Sequence, residues 1–315
     1  MNTHASSHRP TRSAAAVLIV LAALALGTLA CNLSSPPPPT LPPRQPTPTP
    51  QSTLGISTQV PLALPSGVQA QAPADPGVEA LLRQVDPQRL MQHVTALYNV
   101  GSRYVNSAQN SSTFGIGAAR DYIESTFESV AAGANGHVDV WPHTFTLNWG
   151  DVQTLQTNVV CTLQGTDTGA GVIVVSAHYD AVAYDVDSTI NAPGADDNAT
   201  GVAALLELAR IMAQSQHRAT IIFVAFSAEE VDRVGSIRFI NEYLDYFHID
   251  VRAVLNIDTI GNINGPNGQV NDRQIRIFSD DNNDHPARQL SRAIHLIAST
   301  YMPELQVVVQ PAGDR

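Results

Sequence analysis

Four runs between Val172 and Gly261 decide the fold: VIVVSAHYD (172–180), PGADDNATG (193–201), TIIFVAFSAEE (220–230) and VRAVLNIDTIG (251–261). Three are apolar segments that break off into acidic residues, and the first also ends in a histidine. Short continuous apolar runs mark strands buried on both faces. His178, Asp180, Asp197, Glu229, Glu230 and Asp258 therefore fall where strands stop or a helix begins. Taken singly, each has an ordinary reading as a surface histidine, an N-cap, a turn or a solvated loop. Taken in this order, each beside a strand end, they read as a metal site. A zinc-type ion takes imidazole nitrogen and carboxylate oxygen. Two such ions close together can polarise a carbonyl and activate water. Adjacent side chains point in different directions, so one of the Glu229–Glu230 pair can bind metal while the other handles protons. Asp180, two residues beyond His178, is close enough to orient the imidazole ring.

Outward from this stretch, hydrophobic spacing supplies the helices. Val202, Leu205, Leu206, Ala209 and Met212 predict a helix over about 199–214, with Asn198 as N-cap. Ile237, Ile240 and Leu244 predict another after the second strand, and Leu290, Ala293, Ile294 and Ile297 a last one. Residues 275–278 and 305–309 read as further strands. Upstream, Leu90, Val94, Leu97 and Tyr98 predict a helix after Pro87, and Ile116, Ala119, Ile123, Phe127 and Val130 a second. The segment GIGAAR opens that second helix; lacking a third glycine, it is a poor dinucleotide fingerprint. Residues 139–147 alternate like an edge strand, and 157–163 form another strand. Strands alternating with helices imply an α/β fold, with a mostly parallel central sheet and helices on both faces. Ligands of such sheets bind beyond the carboxyl ends of the strands, where these acids lie.

The pieces AHYD, PGADDNATG, FSAEEVDRVGS and LNIDTIG resemble the M28 family of zinc aminopeptidases, and the likeness extends back through GSRYVNS and GIGAARDYI to about residue 86. The resemblance implies a phosphorylase/hydrolase-like zinc exopeptidase architecture and two zinc ions. It implies that His178 and Asp258 bind one zinc and Glu230 the other, with Asp197 bridging. Glu229 would be the general base, and Asp180 would orient His178. It also implies a cis peptide between Asp197 and Asn198. A histidine from a later loop normally completes the second zinc site. The chain reaches Arg315 at VVVQPAGDR, about where that loop should begin, so the domain is expected to be incomplete at its C-terminus. His285 reads as the cap of the last helix, and His295 lies beside that helix's core stripe. Neither suits the missing ligand. Zinc is the family's metal; cobalt or manganese suit the same donors.

The totals agree with this reading. The chain has 315 residues, 43% hydrophobic and 14% charged, enough for one sizeable core. Its net charge of −11 disfavours nucleic acid, and the absence of lysine excludes lysine-based catalysis. No GxSxG elbow points to a serine hydrolase. Residues 280–284 lack the glycine and glutamate of a calcium loop. Residues 1–31 read as a signal, with Arg9 and Arg12 ahead of an uncharged run that ends GTLAC. That ending resembles a bacterial lipoprotein signal with Cys31 lipidated. Residues 32–76 hold 13 of the 21 prolines and read as an unfolded tether. Residues 77–315 form the metallopeptidase domain. The expected protein is extracytoplasmic, secreted or held at a membrane only through Cys31, and acts on peptides. Cys161, inside NVVCTL, reads as a small buried apolar residue. The alternatives are a glutaminyl cyclase-like aminoacyl transferase, a carboxypeptidase of the same broad group, or a non-catalytic binding module on the same fold.

Overall fold

A computed structural model describes residues 74–134, 136–264 and 268–314. The signal, Cys31 and nearly all of the tether lie outside the described residues. Among those described, no helix is long and apolar enough to cross a membrane.

Helix α1 (Pro76–Leu82) starts at Asp75, whose carboxylate accepts from the Gly77 and Val78 N–H groups. Helix α2 (Pro87–Asn99) starts the same way at Asp86, again with proline in its first turn. An acidic cap and an N-terminal proline both suit the unpaired N–H groups of a helix start. Helix α3 (Gly115–Ala132) begins at GIGAAR, as the sequence indicates. Strands β1 (Val138–Trp149) and β2 (Val152–Leu163) follow, then β3 (Val172–His178), helix α4 (Gly201–Met212) and β4 (Thr220–Phe226). Helix α5 (Val234–Phe239), β5 (Val251–Asn256), β6 (Gln274–Ser279), helix α6 (Pro286–Tyr301) and β7 (Gln306–Pro311) complete the order.

The central sheet has five strands in the order β1-β2-β4-β3-β5. It is mixed, not mostly parallel: β1–β2 and β2–β4 pair antiparallel, while β3–β4 and β3–β5 pair parallel. The physical reason is the connection between β1 and β2. Only Gly150 and Asp151 separate them, and so short a link cannot cross over to a parallel neighbour. Strands β6 and β7 form a separate parallel pair backed by α6.

Helix α4 is not amphipathic as its apolar stripe suggests. All of its residues except Arg210 are buried, including Glu207. The Glu207 carboxylate is satisfied by a forked contact from Arg210 and by the Asp86 N–H at 2.9 Å. A buried carboxylate is tolerated only with such partners, and these tie α4 to the start of α2. Helix α5 also departs from expectation. Ile237 and Ile240 are 50% and 45% exposed, whereas Phe239 between them is fully buried against Trp141, His143 and Phe226. The chain widens its turn over Ile240–Leu244, and this shifts the phase of the buried face. Cys161 is fully buried, and burial pushes its thiol up to about 12.

Candidate active site

Parallel pairing of β3 with β4 and β5 brings three strand ends to one edge. His178 pairs with Phe226, so Glu229 and Glu230 follow just beyond β4. Ser176 pairs with Asn256, and two residues past these partners stand His178 and Asp258. The Ser176 hydroxyl donates to Asn256 Oδ1 at 2.8 Å, which fixes that register.

The fourth contributor is the segment Ala195–Thr200, which leaves helical geometry at Asp197 and Asn198 and carries a cis peptide between them. Its side chains alternate in role. Asp196 Oδ1 accepts from the Gly261 and Asn262 N–H groups at 2.7 and 3.0 Å. Asn198 Oδ1 accepts from Gly201 N at 2.9 Å, the capping contact its sequence position indicates, and from Thr259 N at 3.2 Å. Its amide donates to Ile257 O at 2.9 Å. Thr200 Oγ1 accepts from Ile260 N at 3.3 Å. Asp196, Asn198 and Thr200 thus fasten the loop that carries Asp258, and Asp197 is left facing His178. Replacing Asp196 by alanine removes the acceptor of both loop N–H groups, and the part-buried Gly261 donor loses most, about 1–3 kcal/mol for a desolvated donor. The expected result is faster amide exchange at Gly261 and Asn262 and a looser Asp258. Unchanged protection would show that Asp196 holds nothing in place.

His178 Nε2 lies 3.1 Å from Asp197 Oδ1 and 3.5 Å from Asp258 Oδ1. One donor atom from each of the three falls within 4.8 Å of the others, a spacing that could hold a metal ion. The imidazole is 3% exposed, while the Asp197 side chain is 54% exposed, so the group opens to solvent on the Asp197 side. Burial alone pulls the imidazole pKa down, but the carboxylates of Asp180, Asp197 and Asp258 outweigh it and raise it to about 12. Three acids crowded on one imidazole form a place that draws a cation. The donor set of one nitrogen and several carboxylate oxygens fits zinc.

Glu230 stands outside that three-residue group. Burial first, and then the Asp197 charge, push its carboxyl up to about 7 against the pull of His178. Among the described residues, no second imidazole joins the group. His285 Nδ1 caps α6 by accepting from Ala287 N at 3.2 Å, as its sequence position indicates, and His295 Nδ1 lies 3.1 Å from Val307 O.

Asp180 has two jobs, only one of them visible in the sequence. His178 Nδ1 lies 3.1 Å from the Asp180 carbonyl oxygen and 3.7 Å from its carboxylate, so the main chain makes the closer contact. With Nδ1 as donor, Nε2 is left as the ligand nitrogen. The fully buried carboxylate instead accepts from the Glu229 and Glu230 N–H groups at 2.9 and 3.0 Å. It therefore pins the pair of glutamates beside the histidine. Both glutamates are half-buried. Below them Ser227 N donates to Asn158 Oδ1 at 2.9 Å, and the Asn158 amide donates to Gly235 O at 2.9 Å.

Residues 158–311 match the family model Peptidase family M28. A probable zinc metalloprotease of Pyricularia oryzae is 34% identical over 271 residues, covering 79% of this chain and 54% of that protein. One from Leptosphaeria maculans is 31% identical over 266 residues, covering 76% and 60%. The chain thus spans between half and two thirds of these curated relatives. The crystal structure of LapA from Legionella pneumophila superposes with a TM-score of 0.58 at 23% identity, over 75% of this chain and 59% of that one. A leucine aminopeptidase precursor from Bacteroides thetaiotaomicron gives 0.54 at 17%, over 72% and 77%. At these identities the solved structures share the fold. The class defined by fold and family is that of the zinc metallopeptidases. The part of the chain that carries this likeness, residues 158–311, is that of peptidase family M28.

Proposed function

We propose that the protein is a zinc-dependent exopeptidase that removes residues from the N-termini of peptides. The observation that carries this reading is the meeting of His178 Nε2, Asp197 Oδ1 and Asp258 Oδ1 beside a glutamate pair pinned by Asp180. His178, Asp197 and Asp258 would hold one zinc. Glu230 would hold a second, with Asp197 shared between them. When bound, zinc supplies Lewis acidity that polarises the scissile carbonyl and acidifies water. Glu229 takes a proton from the attacking water on its carboxylate and returns it to the departing amine. Asp180 fixes the main chain of Glu229, so that the base keeps one orientation. Asp196, Asn198 and Thr200 hold the Asp258 loop against the Asp197 segment.

The aminopeptidase direction draws support from the named neighbours, since structures of LapA and of the Bacteroides protein carry that description. A second reading has a specific observation behind it. A Bacteroides thetaiotaomicron glutaminyl cyclase superposes equally well, at a TM-score of 0.54 and 17% identity. Fold alone does not separate hydrolysis from cyclisation. The segment 1–31 supports export, with Cys31 as a lipid attachment point and residues 32–76 as tether; this rests on sequence.

The two chemistries separate in one assay. The protein is expected to release the chromophore from a leucine anilide and to stop when metal is removed by a chelator. Ammonia released from a glutaminyl peptide, with no anilide cleavage, would favour the cyclase.

A further inference from the structure

Arg103 is the largest fully buried side chain among the described residues. It lies outside the acid-rich strand ends, in the link between α2 and α3. No carboxylate lies within ion-pair distance of it among the described residues. Its donors go to main-chain carbonyls. Nε donates to Tyr179 O at 2.6 Å, one terminal nitrogen to Leu97 O at 3.3 Å and to Pro193 O, and the other to Gly194 O at 2.9 Å. Tyr179 sits between His178 and Asp180. Pro193 and Gly194 lead into Asp197. One rigid fork therefore grips both ligand-bearing segments and the last turn of α2. The Arg103 main chain adds to the grip, accepting from Ala181 N and donating to Ala192 O.

Two further observations agree. Gly194 adopts a left-handed φ of +48°, and a Cβ there would clash first with Asp197 O and Ala181 Cβ and would also come within 2.8 Å of the Arg103 guanidinium. The tight turn into Asp197, with Arg103 packed beside it, requires the glycine. The carboxylates that face the guanidinium charge are Asp180, Asp197 and Glu230. Burial pulls its pKa down and these acids pull it partly back, to about 10, so it stays charged at neutral pH. Packing alone does not call for such a group, because an apolar side chain of similar volume avoids the cost of burying a charge.

We propose that Arg103 is the positioning residue of the metal site. Its planar fork sets the distance between His178 and Asp197 by holding the carbonyls of Tyr179, Pro193 and Gly194, and its charge offsets the crowded carboxylates before a cation arrives. The proposal rests on the reading that His178, Asp197 and Asp258 ligate zinc. Lysine keeps the charge but cannot fork to several carbonyls.

The test is zinc affinity, measured by competition with a chromophoric chelator on metal-stripped protein. Wild type, Arg103→Met and Arg103→Lys are compared, with thermal melts alongside. Arg103→Met is expected to bind zinc about 10- to 100-fold more weakly while still folded, as for loss of a group that orients ligands. Arg103→Lys should fall between it and wild type. For both, kcat on the anilide should drop while KM changes little. A folded Arg103→Met with wild-type zinc affinity and only a lower melting temperature would overturn the proposal and leave Arg103 a structural residue. If Arg103→Met does not fold, wild-type affinity in Arg103→Lys overturns it instead. Wild-type protein that takes up no zinc would sink the metal-site reading itself, and this proposal with it.

Discussion

Replacing Glu229 by glutamine is expected to lower kcat by about 10²- to 10⁴-fold, the usual contribution of a general base, while zinc stays bound. The substitution keeps the size of the side chain and both main-chain anchors. Glu229 N would still donate to Asp180 Oδ1 at 2.9 Å, and Glu229 O would still accept from Arg233 N at 2.8 Å. What disappears is the ability to take a proton from water. Glu230→Gln should behave differently, because Glu230 is assigned to metal: zinc should be lost along with rate. A steady-state rate for Glu229→Gln equal to wild type would remove Glu229 from the base role. A variant that lost zinc would make it a ligand instead.

His178→Ala is expected to have the larger effect on the metal. His178 supplies the single nitrogen of the three-residue group, and its Nε2 faces both Asp197 and Asp258. Structural zinc sites bind with about 10–16 kcal/mol, so one ligand of four accounts for about 3–4 kcal/mol, on the order of a hundred- to thousandfold in affinity. Hydrolysis should fall with zinc occupancy, and excess zinc should restore part of it. A variant that bound zinc as tightly as wild type would mean that the metal sits elsewhere.

The features legible in the sequence were those that repeat a local signal. Each strand of the site is a short apolar run, and His178, Glu229, Glu230 and Asp258 follow one, so their gathering at one sheet edge follows from parallel pairing, while Asp197 arrives on the segment that leads into α4. The helix start at GIGAAR and the caps at Asn198 and His285 were equally local. Strand direction at the far side of the sheet was not. The turn at Gly150–Asp151 is short enough to force a hairpin, but the runs read as strands, 139–147 and 157–163, left residues 148–156 between them and hid how short the turn is. The buried face of α5 was misplaced because a wider turn at Ile240–Leu244 moves the phase away from regular spacing. Arg103 and Glu207 were missed for a common reason. A charged residue is normally at the surface, and nothing local in GSRYVNS or GVAALLELAR marks a side chain that will be buried among carbonyls or paired with a neighbouring arginine. The carboxylate of Asp180 escaped for the same reason, because its partners lie 49 and 50 residues away in sequence.

The central claim is that the three-residue group and Glu230 bind zinc and that the bound metal is needed for hydrolysis. The most direct measurement is a calorimetric zinc titration of metal-stripped protein, followed by the leucine anilide rate at each zinc level. The expected result is saturable binding, with the rate rising in step with occupancy and both lost in His178→Ala. No heat of zinc binding in folded wild-type protein, or a rate that survives exhaustive chelation, would contradict it.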